Sequence, residues 1–218
     1  MITTPSRPLQ KTARILIAAL SILIGLYPAL YYITDMSAAL LSTKSAALLA
    51  DKIWQAGFYS HITFGGICLL IGWVQFNRKW RDANLTLHRR IGKIYVACAL
   101  ISAASGIYIG FYATGGVIAS LGFITLGITW LLTTWQAYRY ARNGNTERHR
   151  RLMYYSYAAC FAAVTLRLWM PLLIMATGDF LLSYRIVAWL CWIPNIGVAF
   201  LLNRNQRLHF PSPPRKNA

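Results

Sequence analysis

Acid is what this chain has least of. Its 218 residues include five acidic side chains, Asp35, Asp51, Asp82, Glu147 and Asp179, and charged residues of both signs make up 12% of it, about half the share of an average soluble domain. That scarcity excludes an ordinary soluble enzyme, a disordered chain and a nucleic-acid-binding tail. The four cysteines, Cys68, Cys98, Cys160 and Cys191, form no Cys-x-x-Cys pair, which argues against a zinc site or a disulfide framework. All four fall in apolar runs and read as small packing residues. The chain has no phosphate-binding glycine loop, nucleophile elbow or His-Glu-x-x-His motif. It also lacks the long alternating pattern of a membrane barrel.

What is present is hydrophobic length. Apolar residues make up 57% of the chain. A membrane-spanning helix needs about 20 of them in a row, and six stretches qualify, at 15–33, 57–76, 92–112, 117–138, 152–176 and 184–202. Inside lipid every backbone polar group must be paired within the segment, so these stretches are helices. The expected fold is all-α, a polytopic bundle of six transmembrane helices in a single domain over 1–205, with a disordered cytoplasmic tail at 206–218 that contains His209 and Pro211, Pro213 and Pro214. The first stretch follows Arg7, Lys11 and Arg14, as in a signal peptide. Its length and the Thr-Asp-Met-Ser that follows it favour an uncleaved helix.

The formal charge of +17 is a topology signal. Three basic residues precede the first helix. Six lie between the second and third (Arg78, Lys79, Arg81, Arg89, Arg90 and Lys93) and five between the fourth and fifth (Arg139, Arg142, Arg148, Arg150 and Arg151). Four more, Arg204, Arg207, Arg215 and Lys216, follow the sixth. Lys44, Lys52 and Arg185 alone fall on the other side. Basic residues in short loops stay in the cytoplasm, so both termini are expected there, in a bacterial inner membrane. Anionic lipid headgroups are the expected counter-ions, and no nucleic acid is expected as a partner.

A shift of 61 residues brings the chain onto itself without a gap. Gly66 falls on Gly127, Gln75 on Gln136, Arg78 on Arg139, Asn84 on Asn145, and His88-Arg89-Arg90 on His149-Arg150-Arg151. The two units, 57–115 and 118–176, are helices two and three and helices four and five. They form a tandem parallel repeat about an axis along the membrane normal, with a four-helix core between them. Small and weakly polar residues mark where membrane helices approach. The stripes expected to face inward are His61, Gly65, Cys68 and Gly72 on helix two, and His88, Tyr95, Ala99, Ser102 and Gly106 on helix three. Helix four contributes Gly122, Thr129, Thr133 and Gln136, and helix five His149, Ser156, Cys160, Ala163 and Arg167.

Four of these residues are candidates for chemistry. His88 and His149 are repeat mates at the cytoplasmic ends of their helices. They suit axial ligation of one haem iron or a metal ion, or simply lipid phosphate anchoring. His61 and Arg167 are deeper, estimated at about 6 and 8 Å below the outer face. A buried arginine needs a partner, and helices two to five hold no Asp or Glu deep in their spans. That partner is a carbonyl, a tyrosine, water, or a ligand oxygen such as a haem propionate or a quinone, unless the side chain snorkels to the surface. Trp54, Trp80, Trp135 and Trp169 read as interfacial belts.

The run from His61 through Gly65-Gly66, Gln75-Phe76, Leu87-His88-Arg89 and Gly92-Lys93-Ile94-Tyr95-Val96 resembles the bacterial membrane proteins of domain of unknown function 2306. Gly116, Gly122-Phe123, Ala137-Tyr138, His149-Arg150-Arg151 and Ala163-Val164-Thr165-Leu166-Arg167 extend that resemblance to about 57–170. It implies a polytopic inner-membrane protein, with no particular reaction, whose motif positions include His61, His88, His149 and Arg167. The histidine-bearing four-helix core is similar in style to two-haem cytochromes of the b561 type, but one pair and one lone histidine are too few for two bis-histidine haems. Three functions are open from the sequence: a haem b or membrane redox protein, a transporter or small-molecule binding protein at the repeat interface, and a non-enzymatic envelope scaffold. The charge pattern predicts that green fluorescent protein fused to either terminus fluoresces and that alkaline phosphatase fused there is inactive. An active phosphatase at the C-terminus would mean an odd number of crossings.

Overall fold

The computed structural model describes residues 7–33 and 39–209, and the described residues are helical throughout, with no strand among them. Six helices are long and apolar enough to cross a membrane: Lys11–Ile33, Lys52–Phe76, Leu85–Gly110, Val117–Arg142, Thr146–Thr177 and Phe180–Arg204. These are referred to below as spans one to six. Spans two, three and five begin five to seven residues earlier than apolar length alone indicates. The reason is capping, which hydropathy does not see. The carboxylate of Asp51 accepts from the amide of Ile53 at 2.8 Å and starts span two. Asn84 accepts from Leu87 at 2.8 Å and Asn145 from Arg148 at 3.0 Å, starting spans three and five. Asp179 accepts from Leu181 at 2.7 Å and starts span six. The last helix runs on to His209. Residues 210–218, which hold most of the expected tail, lie outside the described residues.

Spans two to five pack as consecutive neighbours, two on three, three on four and four on five, and span one lies against span two. Spans one and two meet almost backbone to backbone, because a Cβ on Gly66 would sit 2.7 Å from the Gly25 carbonyl oxygen. Span six covers spans four and five.

The buried face of span four is Ala119, Gly122, Gly127, Trp130, Thr134 and Ala137. Gly122 therefore faces inward as expected, but Thr133 is only half-buried and Gln136 is exposed. Thr133 donates to the carbonyl of Thr129, four residues back, at 2.7 Å. A hydroxyl satisfied on its own helix does not have to face a neighbour, so polarity was a poor marker there. On span three the expected stripe holds, with Tyr95, Ala99 and Ser102 fully buried.

Spans five and six are each interrupted at mid-length. Span five breaks at Phe161, between helices Thr146–Cys160 and Ala162–Thr177. Span six breaks at 191–192, between Phe180–Leu190 and Ile193–His209. Asn195 spans both breaks, donating to the carbonyls of Ala158 at 3.3 Å and Cys191 at 2.9 Å. The hydroxyl of Thr165 also donates to the Cys191 carbonyl. Freed carbonyls in hydrocarbon need such partners.

Three core spans are joined by one chain of buried hydroxyls. Tyr95 on span three meets Ser156 on span five at 3.0 Å, and Ser156 meets Thr134 on span four at 2.7 Å. Ser156→Ala would remove the shared partner of both neighbours, at about 1–3 kcal/mol, although Thr134 keeps its bond to the Trp130 carbonyl at 2.7 Å. Tyr95→Phe removes only the end of the chain and falls near the 0.6 kcal/mol average for hydrogen bonds between membrane helices. Detergent-to-SDS unfolding titrations of the two variants should show this order.

Candidate functional site

Between the spans lies a cavity of about 240 Å³ to which all six contribute, among them Pro28, His61, Gly106, Gly127, Arg167 and Tyr184. It reaches from mid-bundle to the end opposite the basic loops, where Lys44 and Ala113 line it. His61 lies nine residues along its helix from Lys52, and Arg167 ten residues from Thr177. That places both about 14–15 Å along their spans. They share a level, as the sequence suggests, but it is deeper than the estimate, because the helices begin earlier and end later than their apolar stretches.

The seat of His61 is built by span three. A Cβ on Gly106 would lie 2.7 Å from Nδ1, so only glycine leaves room for the ring. Nδ1 lies 2.9 Å from the carbonyl oxygen of Ser102, and the Ser102 hydroxyl donates to the carbonyl of His61 at 2.8 Å. A carbonyl only accepts, so Nδ1 carries the hydrogen. In the neutral ring Nε2 is then a bare acceptor, and it has no hydrogen-bond partner among the described residues.

Among the described residues Arg167 has no carboxylate within reach. One Nη donates to the carbonyl of Ala163 at 2.8 Å, and the guanidinium carbon sits 4.5 Å from the centre of the Tyr27 ring on span one. A cation over an aromatic face in a desolvated site gains about 2 kcal/mol, which helps hold the charge inside the bundle. The remaining N–H groups of the guanidinium are left for other partners. The four described acids are engaged elsewhere. Asp51 and Asp179 cap helices, and Asp82 and Glu147 pair with Arg81 and Arg151 at the basic end. Asp35 lies outside the described residues. His61 and Arg167 are close enough to interact electrostatically.

Lys44 is a second cation, at the mouth. Its ammonium donates to the Tyr112 carbonyl, and burial pushes it below the ordinary lysine value. With the 2.8 Å contact between the hydroxyls of Thr43 and Thr114, it ties the segment after span one to the turn after span three. The sequence reading counted Lys44 as a loop charge and overlooked it here. Tyr27 and Tyr31 were also overlooked, and nothing in their local pattern separates them from interfacial tyrosines.

His88 and His149 lie apart from this cavity, in the first turns of spans three and five at the basic end. They are within electrostatic reach of each other, and Nδ1 of His149 donates to the carbonyl of Ala137 at 3.0 Å. Neither lines the cavity. No group of three or more metal-ligating side chains occurs among the described residues.

Six apolar spans, with His61, the histidines of the basic loops and Arg167 at the places described, are matched over residues 58–203 by the family described as predicted membrane protein (DUF2306). The chain belongs to that family. The match begins just before His61 and ends in span six, so it takes in most of the cavity but none of span one. No curated protein and no solved structure matches the chain.

The seat of His61 gives a direct check. Gly106→Ala forces the ring off the Ser102 carbonyl and should lower stability by about 1–3 kcal/mol. Gly92→Ala, where a Cβ meets nothing within 4 Å, should be neutral or slightly stabilising. Melting temperatures in one detergent compare the two.

Proposed function

We propose that this family member is a membrane-embedded binding protein, or a transporter built on the same site, for a small apolar molecule that carries an oxygen acceptor. The observation that supports this best is Arg167. It is a charge deep in a bundle, without a carboxylate among the described residues, on a cavity lined mainly by apolar side chains. Intramembrane charges are expensive and usually mark function. Apolar walls with a few convergent polar groups are the usual composition of a small-molecule site. Lys44 adds positive potential at the mouth, so an anionic or strongly polarised oxygen is favoured at the Arg167 end.

The tandem repeat belongs to the same proposal. Its support is geometric. The capping asparagines Asn84 and Asn145 are 61 residues apart, and so are the hydrogen-bonded Tyr95 and Ser156, as residues facing each other across a two-fold axis would be. The same shift carries His61 onto Gly122 and Gly106 onto Arg167. In the first unit the inner helix position holds histidine and its neighbour is glycine. In the second the glycine comes first and arginine follows. Breaking the symmetry in this way puts one acceptor and one cation in a shared cavity, with Gly106 making room for the His61 ring and Gly122 packed against Ala188 of span six. We further propose that the basic end faces the cytoplasm of a bacterial inner membrane and rests on anionic headgroups.

A haem b has less support. The cavity is smaller than the roughly 300–1,000 Å³ typical of drug-sized ligands, and His61 is the single imidazole that lines it. His88 and His149, the pair suited to two axial bonds, are elsewhere. An envelope scaffold does not call for a deep unpaired arginine.

Benzoate, an apolar ring with an anionic oxygen, is a suitable probe of the site. It should raise the melting temperature of the purified protein in detergent and leave that of Arg167→Leu unchanged, with Arg167→Lys retaining part of the shift. If benzoate, duroquinone and their hydroxylated counterparts 4-hydroxybenzoate and duroquinol all leave the unsubstituted protein's melting curve unchanged, the proposal is overturned.

A further inference from the structure

We propose that the natural ligand is a hydroxylated aromatic ring, which gives a hydrogen bond to Nε2 of His61 and takes one from Arg167. This rests on the binding function proposed above and narrows it to a ligand class.

The inference starts from two polar side chains on the cavity, His61 and Arg167. The indole N–H groups of Trp54 and Trp130, also on lining residues and without a hydrogen-bond partner among the described residues, add donors alone. The Ser102 carbonyl fixes the hydrogen of His61 on Nδ1, so Nε2 of the neutral ring can only accept. Arg167 can only donate. One ligand must therefore carry a donor for one end of the site and an acceptor for the other. A ketone, an ester, a quinone or a simple carboxylate has acceptors alone and would leave Nε2 facing a lone pair. A hydroxyl on a ring that bears a second oxygen satisfies both groups.

The walls favour a ring as the body between these oxygens. Tyr31, Phe58, Phe123, Trp130 and Tyr184 all line the cavity, and the small residues Gly65, Gly127 and Ala163 leave space between them. Aromatic walls suit edge-to-face and offset contacts with a flat ring. A dry cavity of about 150 Å³ is enough to take benzene. At about 240 Å³, this one takes a single substituted ring with its oxygens and little more. Two sources carry that chemistry. One is a membrane-soluble hydroquinone, which would reach the site from the bilayer. The other is a water-soluble phenolic acid, which would enter past Lys44.

Two matched pairs of probes test this by isothermal titration of the purified full chain. 4-Hydroxybenzoate differs from benzoate by one donor. Duroquinol, kept reduced under nitrogen, differs from duroquinone by two hydrogens. We expect the hydroxylated member of at least one pair to bind about tenfold more tightly, as for a hydrogen bond made to an otherwise unsatisfied buried group. The pair with the tighter member tells the two sources apart. His61→Asn keeps a side-chain N–H close to the position of Nδ1 and removes Nε2. It should bring the ratio within each pair near one while the protein still melts cooperatively. If His61→Asn fails to fold, His61→Gln, which offers an amide near Nε2, serves instead and should reduce the ratio without abolishing it. Equal affinities within both pairs, with binding still lost in Arg167→Leu, would overturn the hydroxyl assignment and leave the binding function standing. Absence of binding by all four probes would overturn both.

Discussion

A hydroxyl inside a membrane bundle has no water to turn to, and the arrangement of this core follows from that constraint. Tyr95, Ser156 and Thr134 answer it with one another, so spans three, five and four are held at hydroxyl distance at one level. Ser21 on span one adds a fourth helix through the Tyr157 hydroxyl at 2.8 Å. Because apolar side chains gain little by leaving lipid for protein, such bonds and close small-residue packing carry the association that hydrophobic burial carries in water. The glycines mark where the packing is tightest. A Cβ on Gly72 would stand 2.5 Å from the Tyr157 ring, and one on Gly122 would stand 2.8 Å from the Ala188 carbonyl.

The same economy leaves the cavity. Beyond the hydroxyl chain, toward the face opposite the basic loops, the spans no longer fill the space between them even though Gly57, Gly110 and Gly122 still pack closely there, and span one and the segment bearing Lys44 close it. The polar groups at that end are not matched to one another. His61 uses one nitrogen on Ser102, and Arg167 uses part of its guanidinium on Ala163 and Tyr27. The breaks in spans five and six lie beside the cavity and are closed by Asn195 and Thr165, which lets both helices change direction around it without exposing carbonyls to lipid.

Much of this was legible in one dimension, and the parts that were not have particular causes. The six spans follow from apolar length, since 30 Å of hydrocarbon sets a minimum that few other constraints imitate. Their starts were misjudged at Asp51, Asn84 and Asn145, because a capping side chain is local chemistry that hydropathy averages away. The inward stripe of span three could be read from its small residues. That of span four was set one position off, because Thr133 satisfies its own hydroxyl.

His61 and Arg167 stood out as polar residues in apolar helices, and a lone charge in such a setting is conspicuous wherever its partners lie. By itself the sequence determined the helical class, the number of spans, the asymmetry of charge across them and the identity of the two deep polar residues. These depend on composition and on period along the chain. Tertiary structure alone decided that His61 and Arg167 border one cavity while His88 and His149 do not, that Tyr27 lies under the guanidinium, and that Lys44 stands at the mouth. Those contacts join residues 68 to 140 positions apart. Their geometry depends on how far each helix is turned about its axis, and that is fixed only when glycine and hydroxyl contacts from several spans are met together.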